Sequence, residues 1–351
     1  MQADEVYIRR CLELAALGAG SVSPNPMVGA VIVQADKIIG EGYTSPYGGP
    51  HAEVNAVQHA IHLWGKEKAE ELFKTATIYV SLEPCAHFGK TPPCADLLIS
   101  CQFQKVVVGC LDPFAKVNGL GVQKLREAGI GVVVGVSEQA CQWMNRRFFT
   151  RIAKHRPYVI LKWAETMDGY FAPKDSMQKW ISNAASKQLV HKWRAEEDAI
   201  LVGAHTAIVD NPSLTTRYWT GKSPKKVLID KNLSVPLDAQ MFLTEAEDLI
   251  VFNAEKTDWK GHLKYIQLEN FDLYLPQNIL YQLYLMDIQS IIIEGGVKTL
   301  NHFIQAGLWD EARVIVGNSN WNEGLKAPNL DKIPQEEMAV GDDKLKIYFN
   351  N

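Results

Sequence analysis

The sequence predicts two α/β domains in tandem. Three observations predict it. A chain of 351 residues is long for a single hydrophobic core. Short β-rich apolar runs alternate with helical patterns in both halves, the signature of helices layered on a sheet. A basic stretch without clear period, RRFFTRIAKHRP, separates the two alternations and stops at Pro157. The expected division is a first domain over 1–145, a linker over 146–156 and a second domain over 157–351.

The opening, MQADEVYIRRCLELAALG, reads as an amphipathic helix. It carries Asp4 and Glu5 where a signal peptide would have a basic region. Val28–Val33 and Ile38–Tyr43 flank the polar QADK and read as a hairpin. In HAEVNAVQHAIHL, Val54, Val57 and Ile61 recur at helical spacing. TATIYVSLE, KVVVGCLD and GVVVG read as strands, PPCADLLISC as a helix opened by proline, and GLGVQKLREAG and SEQACQWMNRRF as further helices. Beyond Pro157 come the strand YVILKWA, a helix around AASKQLVHKWRAEED, the strands AILVG, KVLID, DLIVF and SIIIEGG, the helix TLNHFIQAG and the strand ARVIVG.

Charge and composition exclude some classes. Apolar residues make up 47% and charged residues 22%, an ordinary globular balance. The formal charge of −4, from 36 basic and 40 acidic residues, argues against a nucleic-acid surface driven by bulk charge. No apolar run is long enough for a membrane span. Neither nucleic acid nor membrane is therefore an expected partner. Six cysteines in a long chain without a secretory signal point to a reducing compartment, the cytoplasm, where clustered cysteines bind metal more often than each other.

One cluster has that character. LEPCAHFGKTPPC places Cys85 and Cys94 with eight residues between them, and PHAEVNAV places His51 just after a proline. One imidazole and two thiolates match zinc's preference for nitrogen and sulfur and leave a fourth tetrahedral position for water. Zinc lowers the pKa of such a water to roughly 7. Glu53, two residues after His51, would shuttle its proton to a leaving amine, provided His51 lies outside the helical rotation. A proline precedes each ligand (Pro50, Pro84, Pro93), which suits helix starts that favour anions. The alternative is a four-ligand structural clip closed by His87, Cys101 or Cys110. Cys11, Cys101, Cys110 and Cys141 each sit in an apolar run and read as packing.

Taken together, PNPMVGAVIV, GEGY, PHAEVNAV, SLEPCAHFGKTPPC and DPFAKVNGLGVQKLREAGI resemble the bifunctional deaminase–reductase family of riboflavin biosynthesis. That family carries the long spacing between the two cysteines. The resemblance implies an N-terminal cytidine-deaminase-like α/β/α layered domain and a C-terminal dihydrofolate-reductase-like α/β domain. It implies that His87 and Lys90 face the ring and the ribose phosphate, with Asn25 on the pyrimidine. A lysine there would neutralise a phosphate that a thiolate-balanced zinc would not attract. The family usually has a polar residue, commonly Asn, after Asp-Pro, and this chain has Phe114, so only Asp112 is carried over from that turn.

In the second half, SIIIEGGVKTLNHFIQAG runs from an apolar strand through Glu294-Gly295-Gly296 into a helix, a turn that lets backbone N–H groups close on a phosphate. Arg194 and Arg217 are candidate phosphate forks. By resemblance Ala164, Trp180, Thr206, Asp210 and the run Gly296, Val297, Lys298 and Thr299 line an NADPH site. Arg194, Leu214, Arg217 and Glu294 would contact the phosphorylated substrate, and Asp168 would shape the mouth. The chain departs from the family at YFAPKDSMQKW, with Gln178 where serine is usual. A deaminase with a degenerate, non-catalytic C-terminal domain is therefore the alternative. The expected cofactors are Zn2+ and NADPH, the expected partner is a small phosphorylated pyrimidine, and a homo-oligomer is expected.

Overall fold

The computed structural model describes residues 3–86, 88, 92–114, 118–174, 180–244 and 246–350. They form two compact units, 1–154 and 155–351. None of the described helices is long and apolar enough to cross a membrane.

In the first unit the strands are β1 (Gly29–Gln34), β2 (Lys37–Tyr43), β3 (Thr77–Leu82), β4 (Lys105–Cys110) and β5 (Gly131–Val134). They form one sheet in the order β2-β1-β3-β4-β5. The β1–β2 hairpin and the β1–β3 pair are antiparallel, whereas β3, β4 and β5 run parallel. The helices are α1 (Ala3–Ala16), α2 (Ala52–Trp64), α3 (Lys66–Phe73), α4 (Cys94–Ser100), α5 (Leu120–Glu127), α6 (Glu138–Met144) and α7 (Arg146–Lys154). Two glycines show how tightly the layers close. A Cβ on Gly29 would fall 1.9 Å from the Cys11 carbonyl oxygen of α1, and one on Gly42 would fall 2.5 Å from Ala56 N of α2. Gly42 stands opposite Ala30, the neighbour of Gly29, so α1 and α2 lie on opposite faces of the sheet. That is the α/β/α arrangement.

The stretch expected to be a linker is not one. Arg146–Lys154 is helical and belongs to the first unit, with Phe148 and Thr150 buried. Its four basic residues hide the apolar period in the sequence.

The second unit contains β6 (Tyr158–Thr166), β7 (Tyr170–Ala172), α8 (Ala184–Glu196), β8 (Ala199–Gly203), α9 (Ala204–Asp210), β9 (Lys225–Ile229), β10 (Leu249–Asn253), β11 (Asp258–Lys260), β12 (Leu263–Gln267), α10 (Leu275–Leu285), β13 (Ser290–Gly295), α11 (Val297–Gln305), β14 (Glu311–Gly317), β15 (Leu325–Lys326), β16 (Glu336–Val340) and β17 (Asp343–Phe349). Ten strands make one sheet in the order β11-β12-β10-β9-β8-β13-β6-β14-β17-β16. Its centre, β10 to β14, is parallel and buried on both faces, which explains the continuous apolar runs AILVG and SIII. The antiparallel pair β16–β17 finishes one edge. The carboxyl ends of β8, β9 and β13 open onto one cleft.

Candidate active sites

In the first unit three turns converge at the carboxyl end of the sheet. His51 is the N-cap of α2 with extended backbone, φ −74° and ψ 166°, so it does lie outside the helical rotation. Glu53 sits inside the first turn and is buried. Cys94 opens α4 behind Pro93, whereas Cys85 follows β3 in a non-helical turn. Pro84 therefore marks no helix start: β3 itself delivers Cys85. The Cys94 and Cys85 sulfurs lie 3.3 and 3.7 Å from His51 Nδ1. All three donor atoms fall within 4.8 Å of one another, and among the described residues no fourth donor joins them.

The electrostatics suit a cation. The Cys94 thiol and backbone N–H both donate toward Cys85 Sγ, and with His51 they hold the Cys85 thiolate down at about 4 against the cost of its burial. The Cys94 thiol is pushed up by the same exchange. Contact with Cys85 raises the His51 imidazole. Burial, then the Cys85 thiolate, pushes the Glu53 carboxyl up. His51, Glu53 and Cys85 line a pocket of about 350 Å³, within the usual range for a small-molecule site. Asn25, Asp112 and Phe114 also line it, as do Phe148, Arg151 and Ile152 of α7.

A residue absent from the sequence reading holds the pocket together. Glu83, directly after β3, is buried, and its carboxylate accepts four backbone N–H groups: Asp112 (3.3 Å), Gly119 (2.9 Å), Gly121 (2.9 Å) and Val122 (3.1 Å). It caps the first turn of α5 and pins the 112 turn beside Cys85. Asn145 acts similarly from the junction of α6 and α7, accepting from Met27 N at 2.8 Å and donating to Met27 O at 2.9 Å.

In the second unit a cleft of about 820 Å³ opens over β8, β9 and β13. Thr206, Gly296, Val297, Lys298 and Thr299 line it. Beside β13, Arg194 Nε and Nη2 grip Glu294 at 3.1 and 2.7 Å, and Arg194 Nη1 donates to Thr215 O at 3.3 Å. Lys162 adds a second cation 3.9 Å from the same carboxylate. Burial alone would raise the Glu294 carboxyl, but Arg194 and Lys162 hold it at about 2.

The comparisons with known proteins match both halves. The cytidine and deoxycytidylate deaminase zinc-binding region matches residues 1–110, and the RibD C-terminal domain matches residues 157–318. The riboflavin biosynthesis protein RibD of Aquifex aeolicus is 42% identical over 99% of this chain and 98% of its own length. The chain belongs to the RibD family. The RibD protein of Escherichia coli is 34% identical over 89% of this chain and 87% of its own. The deaminase/reductase structure from Thermotoga maritima, at 35% identity, superposes with a TM-score of 0.85 over 98% of this chain and 97% of that one. Acinetobacter baumannii RibD, at 32% identity, gives 0.88 over 99% and 98%. The two units are thus the deaminase and reductase domains of a RibD protein, an enzyme of riboflavin biosynthesis.

Within that RibD frame the residues singled out in the sequence fall into three groups. His51, Glu53, Cys85, Cys94 and Asn25 come together in the first pocket or behind its wall. His87, Lys90 and Gln178 lie outside the described residues. In the reductase half, Ala164 lies on β6, Trp180 is 69% exposed and Asp210 ends α9, the helix whose first residues line the cleft. Arg194 is no open phosphate fork, because Glu294 and Thr215 occupy its donors. Arg217 is the exposed arginine of that group, bonded to Ser213 and Thr215, with Leu214 buried at φ 56° between them. Asp168 accepts from Trp321 N at 3.1 Å and Asn322 N at 2.7 Å, so it braces a turn.

Proposed function

We propose that this chain catalyses two consecutive steps of riboflavin biosynthesis. The first is hydrolytic deamination of 2,5-diamino-6-ribosylamino-4(3H)-pyrimidinone 5′-phosphate. The second is NADPH-dependent reduction of the ribosyl side chain to ribityl. The observation that carries the reading is the convergence of His51 Nδ1 and two cysteine sulfurs next to a pocket that the buried Glu53 also lines.

The donor set fits zinc: one imidazole nitrogen, a thiolate already favoured at Cys85 and a second sulfur that a cation would ionise. Bound by His51, Cys85 and Cys94, the ion would supply a Lewis acid that makes water nucleophilic near neutral pH. Glu53 does the proton work. It takes one proton from the attacking water and delivers it to the exocyclic amine, which departs as ammonia when the C–N bond breaks. Burial raises its affinity for a proton, in keeping with a group that takes a proton and then gives it up. Asn25 orients the pyrimidine, and the Phe114 and Phe148 side chains exclude water from the rest of the pocket.

In the second unit the fit to a dinucleotide rests on bare backbone. A Cβ on Gly203 would fall 2.7 Å from Thr299 Oγ1, and Gly296 caps the nine-residue helix α11. Thr206, Lys298 and Thr299 would hold the pyrophosphate there. NADPH would supply the hydride. The Arg194–Glu294–Lys162 group fixes the floor next to it, and Arg217 offers its guanidinium to the substrate phosphate. Six cysteines without a disulfide, two of them set as metal ligands, support a cytoplasmic setting.

Glu53→Gln tests the reading. The variant keeps its metal and its NADPH-dependent reduction of the deaminated intermediate while ammonia release falls at least about a hundredfold. Ammonia release at the wild-type rate would remove Glu53 from the mechanism.

A further inference from the structure

One buried side chain of the second unit has no role in the reading so far. His191 lies on α8, three residues ahead of Arg194, and is 3% exposed. Residues three apart share a helix face, so both side chains leave α8 toward the same neighbour. That neighbour is the connection between α9 and β9, which carries Ser213, Leu214, Thr215 and Arg217. Arg194 Nη1 donates to Thr215 O at 3.3 Å, and His191 Nδ1 accepts from Arg217 N at 3.0 Å. A donor and an acceptor on one helix thus hold one segment by two of its backbone groups.

Resting on the proposed role of Arg217 at the substrate phosphate, we propose that His191 is the positioning residue that fixes where Arg217 presents its guanidinium. The Arg217 side chain is exposed, and among the described residues its hydrogen bonds go to Ser213 and Thr215 of its own segment. Neither bond ties it to the sheet or to a helix. Its direction is therefore set by its backbone, and the backbone of a surface connection stays put only where something binds it. Leu214, buried at φ 56°, roots the segment on one side of Arg217. His191 supplies the fixed point at Arg217 itself.

The imidazole has to be neutral for this task, because a proton on Nδ1 would set donor against donor at Arg217 N. Its surroundings keep it so. Burial, then the Arg194 and Arg217 guanidiniums, push His191 down to about 4, with Lys187 on their side and Glu294 opposing them. The Tyr218 ring closes edge-on over the imidazole, with centroids 4.9 Å apart. A histidine held neutral in this way is a fixed acceptor, not an acid or a base.

Steady-state kinetics of NADPH-dependent reduction of the deaminated intermediate by the full chain test this. His191→Leu removes the acceptor and should raise KM for the intermediate about tenfold, with kcat and the KM for NADPH within about twofold of wild type. His191→Asn places Oδ1 where Nδ1 stood and should bring KM back to within about twofold. In an Arg217→Ala background His191→Leu should add nothing, since it acts through that arginine. A histidine that merely supports the fold gives the opposite pattern. Loss of kcat or of NADPH affinity alongside KM, no recovery with asparagine, or effects that multiply with Arg217→Ala would each overturn the positioning role. So would a wild-type KM in His191→Leu when Arg217→Ala alone raises it. An unchanged KM in Arg217→Ala overturns the phosphate reading of that arginine, and the inference with it. If His191→Leu does not fold, His191→Ala carries the same expectations.

Discussion

Replacing Glu83 by glutamine should loosen the deaminase pocket without touching its chemistry. The Glu83 carboxylate accepts four backbone N–H groups, two on each oxygen. A glutamine keeps one oxygen and turns an NH2 group toward the other two donors. If Oε1 is retained, the bonds from Gly121 and Val122 survive, and those from Asp112 and Gly119 are replaced by donor facing donor. Each hydrogen bond to a charged acceptor is worth about 1.5–3 kcal/mol, so the loss is about 3 kcal/mol or more, confined to the 112 turn and the start of α5. Hydrogen exchange followed by mass spectrometry on peptides spanning residues 118–125 reads this locally. An opening free energy lowered by about 3 kcal/mol accelerates exchange by about a hundredfold. Deamination should weaken through KM, since Asp112 and Phe114 line the pocket, while zinc content is kept. Exchange within about threefold of wild type would refute the assignment of Glu83 as the pin.

Cys85→Ser and Cys94→Ser should each lose zinc and deamination together, measured by elemental analysis and ammonia release. NADPH consumption on the deaminated intermediate should continue in both, because the reductase residues belong to the other unit. Absence of that NADPH consumption in wild type would instead favour a non-catalytic second domain. Glu294→Gln leaves Arg194 and Lys162 without their anion and should destabilise the second unit by about 3 kcal/mol at pH 7, the order of breaking a buried ion pair. The sign with pH follows from the depressed carboxyl. Its stabilisation is complete above the ordinary glutamate value and is lost as pH falls toward about 2. The gap in thermal midpoint between wild type and Glu294→Gln should therefore be constant above pH 5 and close as the medium is acidified, by roughly 1.4 kcal/mol per pH unit at most.

Much of the fold was legible because burial writes itself into sequence. The central strands of both sheets are covered on both faces and therefore read as unbroken apolar runs, as in KVVVGC and SIII. The ligand set was legible for a different reason: histidine and cysteine are few, and proline marks the turns that present His51 and Cys94. What stayed hidden depends on contacts remote in the chain. Glu83 looks like any acid after a strand, since its partners are backbone amides 29 to 39 residues further on, carrying no side-chain signature. The α7 helix reads as a linker because Arg146, Arg147, Arg151 and Lys154 mask the face that buries Phe148. Arg194 reads as a phosphate fork until Glu294, 100 residues away, is seen to fill it. The His191–Arg217 bond spans 26 residues and shows only when α8 and the connection after α9 meet.

Zinc X-ray absorption on the purified full chain tests the central claim most directly. One zinc per chain is expected, with two sulfurs at about 2.3 Å and two lighter atoms at about 2.0–2.1 Å, one of them from His51. A third sulfur in the shell, or a protein that holds no stoichiometric zinc while it still releases ammonia from the diaminopyrimidine, would contradict it.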